Sequence, residues 1–300
     1  MKTILITAGG TSEPIDNIRS ITNTGTGALG SLIADEFARR RNVERIVYIH
    51  GKNAVLPKTQ KAVCIEAAST DALQKAVREA CAQYAPDAII HSMAVSDYRT
   101  GAVVKAEDLL KIALKIAGTA SQDELDKLAS QVIEERISKA STAEELAKAY
   151  DYLPDVQTGK PAAKTAKAKQ SEAEALLKLA KKADLRDKYN KIPSSAGNPV
   201  ILLEPTPKII PELRQLAPDA IIVGFKLLDE VPHDELLSVA KKLMEKNDCD
   251  FVLANDYQTV QGGAQSHVGH LMARGGKVET FTGKPEIAKG IAAAVAAAWK

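Results

Sequence analysis

The sequence predicts an α/β fold, a doubly wound parallel sheet interrupted by a helical insertion, and three observations carry that reading. Short apolar runs bounded by turn residues alternate with longer amphipathic stretches up to residue 99. The same alternation resumes beyond residue 190. Buried runs separated by helical periods make parallel strands joined by crossover helices. Between the two stretches the composition shifts to Ala, Lys, Glu, Leu and Gln, with Tyr150 and Tyr152 the only aromatics in 101–186. Those are helix-forming residues.

Taken in order, Thr3–Ala8 reads as a buried strand and Ala28–Arg41 as a helix with Leu29, Leu32, Ile33 and Phe37 on one face. Arg45–His50 and Ala62–Ala67 read as strands, Thr70–Tyr84 as a helix and Asp87–Met93 as a strand. In the insertion, Glu107–Ala117, Gln122–Lys139, Thr142–Tyr150 and Ser171–Asp184 read as helices, with the lysine-rich connector Lys160–Lys169 among them. Then come a strand at Val200–Leu203, a helix at Pro207–Leu216, a strand at Ala220–Phe225, a helix at Asp234–Asn247 and a strand at Asp250–Ala254. His267–Ala273 and Lys277–Phe281 alternate as a hairpin does, and Glu286–Trp299 closes as a helix. The predicted organisation is a discontinuous α/β domain, 1–100 and 187–300, holding an insertion at 101–186. Ligands on such sheets sit beyond the carboxyl ends of the strands.

Composition narrows the function. With 300 residues, 45% of them hydrophobic, the chain can bury a substantial core. A net charge of +2 points to neither a nucleic-acid nor a membrane partner, and the lysine run reads as a solvated face. Cys64, Cys81 and Cys249 are scattered and form no CxxC pair, so neither a disulfide framework nor a zinc site is predicted. A reducing cytoplasm is the expected location. No basic-then-apolar leader opens the chain, and Ile287–Trp299 is too short and too alanine-rich to span a bilayer.

The chemistry concentrates in residues 4–30. An apolar strand enters a Gly9-Gly10-Thr11 turn, and a second glycine cluster, Gly25-Thr-Gly-Ala-Leu-Gly30, opens a helix. Two such bends can present bare N–H groups to a phosphate. The second cluster matches GxGxxG, whose dinucleotide form needs a strand immediately before it and an acid about 20 residues on. Here the strand ends at Ala8, and His50 and Gly51 stand where the acid belongs, so a plain Rossmann nicotinamide site fails on context. Tight helix packing is the competing explanation; phosphate binding is the expectation. Tyr48-x-x-x-Lys52 has the spacing of a dehydrogenase pair but lies at a strand end, where the two side chains are not held together.

The remaining signals are weak singly. Asp97, after the strand ending at Met93, can meet a ligand or cap a turn. Lys191-Ile-Pro-Ser-Ser195 reads as a turn, Phe225 as core and Asn255-Asp256 as a turn. Lys242 and Lys246 share one helix face near its carboxyl end, where the dipole alone favours cations.

Together the segments TAGGTSEPID, IRSITNTGTGALG, IHSMAVSDY, KIPSS, TPKII, GFKLL and EKNDCDFVLAND resemble, in order, phosphopantothenate–cysteine ligase (phosphopantothenoylcysteine synthetase). They cover most of 1–99 and 188–258, and their spelling looks like that of the free-standing ligases. The resemblance implies a Rossmann-like sheet and a two-step reaction. The carboxylate of 4′-phosphopantothenate attacks the α-phosphate of CTP or ATP, with Mg2+ accompanying the triphosphate. The amine of L-cysteine then displaces the nucleotide from the acyl intermediate. It also implies residue roles. Gly9, Gly27 and Gly30 line the nucleotide phosphates, and Asn23 holds the acyl end. Ala94 and Asp97 contact substrate, Asp97 meeting either nucleotide or phosphopantothenate. Lys191 stabilises charge from a flap. Pro207, Lys208, Ile209, Ile210, Phe225, Lys242 and Lys246 form the nucleotide pocket of bacterial forms, and Asn255 is a contact of the animal form. Arg19 reaches across a homodimer to the neighbour's phosphopantothenate.

Some positions depart from the family pattern. Gly25 stands where serine is common, Ala28 where a basic or polar residue is frequent, and Met93 where a small residue precedes Ala94. The insertion is the largest departure; a longer lid or a wider dimer contact is the expectation for it. Two other function classes compete: a nicotinamide-dependent oxidoreductase on a variant Rossmann sheet, and a binding protein that keeps the phosphate cradle without turnover.

Overall fold

A computed structural model describes residues 1–116, 174–261 and 266–299. They group into two compact units, Met1–Glu13 with Ile21–Asp97 and Pro205–Lys300, and Pro14–Ser20 with Tyr98–Glu204.

The first unit is built on an eight-stranded sheet. Its strands are β1 (Lys2–Ala8), β4 (Val43–His50), β5 (Ala62–Glu66), β6 (Ala88–His91), β9 (Ile221–Leu228), β10 (Phe251–Asp256), β11 (Val268–Ala273) and β12 (Val278–Thr282). The short strands β2 (Ser12–Pro14) and β3 (Ser20–Thr22) pair with each other as a separate hairpin. The spatial order is β12-β11-β10-β9-β6-β1-β4-β5. The six strands from β10 to β5 pair in parallel, and β11 and β12 add an antiparallel hairpin at one edge. Numbered along the chain, the parallel strands run 3-2-1-4-5-6, the Rossmann order. The doubly wound parallel sheet read from the apolar runs is therefore present.

Both faces are covered. On one, Leu5, Val47, Ile49, Ile89, Ile222 and Val252 pack under α2 (Thr70–Tyr84), together with Leu213 and Leu236 of the later helices α5 (Ile210–Leu216) and α6 (His233–Asn247). On the other, Ile4, Ile6, Ile46, Tyr48 and Ile90 meet Ile33 and Phe37 of α1 (Ala28–Ala38) and Ile287, Ile291 and Val295 of α8 (Lys284–Ala298). Alternation along each strand sends odd and even positions to opposite helical layers. Ser69 caps α2 by accepting from Ala72 N at 3.2 Å.

The second unit differs from its sequence reading. Tyr98–Lys105 is a strand, β7, paired with β8 (Pro199–Pro205) in a two-stranded sheet. Residues 101–105, expected in the helical insertion, are thus extended, and 187–204, expected in the α/β domain, group with them. Val200–Leu203 is a strand as expected, but outside the main sheet. The cause is local: the β-branched pair Val103-Val104 and the apolar run of β8 fit a paired ribbon better than a helix. Helix α3 (Ala106–Ile116) follows β7, and 174–180, α4, is helical. Val103, Leu185, Ile192 and Ala196 make a small core with Ile15. The expected helices Gln122–Lys139 and Thr142–Tyr150, and the connector Lys160–Lys169, lie outside the described residues. Helix α7 (Tyr257–Gln261) follows β10. Among the described residues no helix is long and apolar enough to cross a membrane.

Candidate functional site

The chain leaves β1 toward β4 on one side of the sheet and restarts at β6 on the other. The connections diverge there, and sheets of this order place their ligands at such a switch point, beyond the carboxyl ends of β1 and β6. Four backbone segments meet at this edge: Gly9–Thr11, Asn23–Gly27, Gly51–Val55 and Ala94–Asp97. Ala94 N donates to Gly9 O at 2.9 Å, Thr11 N to Ala94 O at 3.0 Å, Gly51 N to Ala8 O at 3.1 Å and Val55 N to Thr26 O at 2.9 Å.

Glycine is required here by conformation and by space. Gly9 and Gly27 have φ of 89° and 73°, which side chains disfavour. A Cβ on Gly9 would lie 2.7 Å from Ala54 Cβ, and one on Gly27 2.9 Å from the same atom. Gly30 lets the first turn of α1 press on β1, where a Cβ would meet Ala8 Cβ at 2.5 Å. Ala54 therefore packs against both bends at once. Tyr48 braces the assembly from below, its hydroxyl donating to Val55 O at 2.8 Å and reaching Gly27 O at 3.4 Å. The Tyr48–Lys52 spacing thus marks a buttress; burial pushes the phenol pKa up. The first helical bond of α1 runs from Ser31 N to Gly27 O. The N–H groups of Leu29 and Gly30 precede that ladder, at the positive end of the helix dipole, and Ala28 N reaches Thr26 Oγ1 at 3.4 Å.

Beside the bends lies a polar triangle. Asn23 donates both amide protons, to Ala94 O and to Ser96 Oγ, each at 3.1 Å. Thr11 Oγ1 accepts from Ser96 N at 2.8 Å and donates to Ser96 Oγ at 3.0 Å. Asn23 therefore turns its carbonyl oxygen outward. Ser96 Oγ accepts two bonds and keeps its own proton to give. The sequence reading named Asn23 and missed Thr11 and Ser96. Their only signal was the Ser in AVSD and the Thr closing the Gly-Gly-Thr turn.

Asp97, exposed, forms an ion pair with Lys208, also exposed. Thr206 N donates to Asp97 O at 3.1 Å, which sets Pro207–Ile210 alongside. Ile209 is buried in the core under α5. Phe225 and Asn255 lie near the carboxyl ends of β9 and β10, and Asn255 Nδ2 meets His267 Nε2 at 3.0 Å. The structure thus brings Gly9, Asn23, Gly27, Gly30, Ala94, Asp97, Pro207, Lys208, Ile210, Phe225 and Asn255 to one sheet edge.

Lys242 and Lys246 are not among them. They stand about 13 and 20 Å along α6 from its first residue. That helix runs from the carboxyl edge back to the start of β10, so both lysines project from the opposite end of the unit. Their position at a helix carboxyl end accounts for them.

Lys191 and Arg19 belong to the second unit. Lys191 is exposed. Arg19 bonds Asp16 through Nε and Nη2, which holds the Asp16 carboxyl well below the usual carboxylate range.

Two buried histidines contribute to the acid behaviour of the first unit. Thr7 Oγ1 accepts from Met93 N at 3.3 Å and shares a hydrogen bond with His91 Nδ1 at 2.9 Å. Burial lowers the pKa of His91 to about 4. Burial and then the Lys284 charge lower that of His267 to about 4. Between pH 6.5 and 4 the unfolded chain binds protons that the native state refuses, so stability falls on acidification through that window. Each histidine contributes a slope of up to about 1.4 kcal/mol per pH unit. Urea unfolding of His91→Gln at pH 5 and pH 7 should show one proton less of pH dependence than the native chain; an unchanged slope would contradict the assignment.

Strand order and the glycine bends at its switch point define a Rossmann-like α/β protein. The chain belongs to the DNA/pantothenate metabolism flavoprotein C-terminal domain family, whose profile matches residues 1–147 and 137–298. It is 26% identical over 255 residues, 85% of its length, to the coenzyme A biosynthesis bifunctional protein CoaBC of Thermococcus kodakarensis. It spans 41% of that relative. The crystal structure of the DNA/pantothenate metabolism flavoprotein from Streptococcus pneumoniae superposes with a TM-score of 0.67 at 26% identity, covering 99% of both chains. Cab2 in complex with phosphopantothenate-cysteine shares the fold, with a TM-score of 0.55 at 14% identity over 98% of this chain and 85% of that one.

Proposed function

We propose that the chain is a phosphopantothenate–cysteine ligase of coenzyme A biosynthesis. The observation that carries the reading is the switch point of the sheet, where two positive-φ glycine bends and the first turn of α1 adjoin the Asn23–Ser96–Thr11 triangle. In this reading the triphosphate of CTP or ATP lies on Gly9, Gly27 and Gly30, with the base toward Pro207–Ile210, Phe225 and Asn255. Asp97 and Lys208 exchange their mutual ion pair for ligand contacts.

The carboxylate of 4′-phosphopantothenate forms a bond to the α-phosphorus, and the bond to pyrophosphate breaks. The amine of L-cysteine then bonds to the acyl carbon, loses a proton and expels the nucleoside monophosphate. Ser96 supplies the hydrogen-bond donor for the acyl oxygen and Ala94 backs it. Asn23, with its carbonyl outward, orients Ser96 and accepts from the incoming amine. Lys191 stabilises the charge that builds on the departing phosphate, and Arg19 reaches across the homodimer to the phosphate of the neighbour's phosphopantothenate. Among the described residues no group of three or more His, Cys, Asp and Glu could hold a metal. In this reading Mg2+ accompanies the triphosphate.

The test is pyrophosphate release with CTP or ATP, phosphopantothenate and cysteine. Release should require both phosphopantothenate and a triphosphate, and the preferred nucleotide follows from the two rates. Release without phosphopantothenate, ligand binding without release, or saturable NADPH binding would contradict the ligase. The cytoplasm is the location this chemistry implies.

The reading includes a homodimer with shared sites. On β8 the exposed positions alternate, leaving Ile201 and Leu203 38% and 48% exposed on one face while Val200 and Leu202 pack on Ala102, Val104 and Ala180. Such an apolar ridge suits a second copy. Leu203→Lys should shift the mass in light scattering from dimer toward monomer and lower kcat/KM by about tenfold. A variant that stays dimeric would remove this face from the interface.

A further inference from the structure

Within the second unit, the turn Asp16–Arg19 grips both neighbours of Lys191. Asn17 N donates to Asn190 O at 3.1 Å. Ile192 N donates to Asp16 Oδ2 at 3.1 Å, and Arg19 Nη2 donates to Ile192 O at 2.9 Å. Lys191 is thus bracketed on each side while its own side chain stays exposed. Asp16 is the centre of the arrangement. Its side chain is 1% exposed, and Oδ1 also accepts from Ile18 N at 3.0 Å and Arg19 N at 2.8 Å. Oδ2 takes Arg19 Nε at 3.1 Å as well as Nη2.

The hydrogen accounting of Arg19 follows. Nε and Nη2 are fully engaged, with Asp16 and Ile192 O, so the guanidinium offers Nη1 outward. A planar fork can face a carboxylate and a carbonyl on one side and a ligand on the other, whereas an ammonium cannot. We propose that Asp16 is a positioning residue for both Arg19 and Lys191. It makes the turn and the segment Asn190–Ile192 one clamp, so that the cation for the substrate's phosphate and the cation for the acyl-nucleotide step are placed together. This rests on the ligase reading for what the two cations touch; the clamp itself does not.

Asp16→Asn puts an amide donor where Oδ2 accepts, opposite the Arg19 and Ile192 donors. In the full chain, hydrogen exchange of the Ile192 amide should accelerate at least tenfold. KM for phosphopantothenate should rise about tenfold with KM for the triphosphate unchanged. At saturating phosphopantothenate, less of the acyl nucleotide should pass to amide and more to hydrolysis. Arg19→Lys should raise the same KM while leaving the Ile192 amide protected by Asp16. A merely structural role would lower thermal stability without splitting the two KM values. Unchanged Ile192 protection in Asp16→Asn, or faster exchange with unchanged KM and partition, would overturn the proposal. If Asp16→Asn does not fold, Arg19→Ala decides: it removes the Ile192 O bond and must still divert acyl nucleotide to hydrolysis at saturation, and normal partition overturns the clamp. If the native chain releases no pyrophosphate, the ligase reading fails, and the exchange arm still decides the clamp.

Discussion

Gly9→Ala should abolish nucleotide-dependent turnover, lowering kcat/KM by a hundredfold or more, and should also destabilise the fold. At φ 89° an alanine costs about 1–2 kcal/mol in the left-handed region. Its Cβ would sit 2.7 Å from that of Ala54, and relieving such an overlap costs about 1–3 kcal/mol more. Either the turn after β1 or the Gly51–Val55 loop must move, and both shape the cradle. Displacements of about 1 Å are enough to cost about a hundredfold in rate. Gly276→Ala is the control. Gly276 has a similar φ of 92°, but its Cβ would meet open space. It should carry the torsional penalty with full activity. Thermal melts and steady-state rates of the two variants separate strain from site disruption, and normal kcat/KM for Gly9→Ala would contradict the cradle.

Lys191→Gln should leave the first half-reaction running and stall the second. The side chain keeps a donor but loses the charge, and charge neutralisation of this kind is worth about 10²–10³ in rate. Quenched-flow analysis should show a burst of pyrophosphate stoichiometric with enzyme, then accumulation of acyl nucleotide with little amide. Full turnover would remove Lys191 from the mechanism.

Much of the fold was legible because each strand of the main sheet is a short apolar run between turn residues, and parallel strands buried on both faces have to be. Thr70–Tyr84 shows the strongest agreement, since Ser69 before it is a helix cap that a sequence displays openly. Tyr98–Lys105 was missed because a ribbon paired with a strand about a hundred residues away has no local signal beyond two adjacent valines. Within the site, glycines were legible because steric demand leaves its mark on residue type. The polar triangle was not: whether Ser96 gives or receives a proton depends on partners 73 and 85 residues away. Lys242 and Lys246 show a different limit. A helical spacing gives their shared face but not which end of the sheet that face reaches.

The most direct measurement follows the oxygen. Phosphopantothenate labelled with 18O in its carboxylate should, during turnover with cysteine, transfer one labelled atom to the nucleoside monophosphate and none to pyrophosphate. Attack of the carboxylate on the α-phosphorus followed by displacement at the acyl carbon requires it. Label in inorganic phosphate, or amide formed with an unlabelled nucleotide, would contradict an acyl nucleotide held on the glycine cradle.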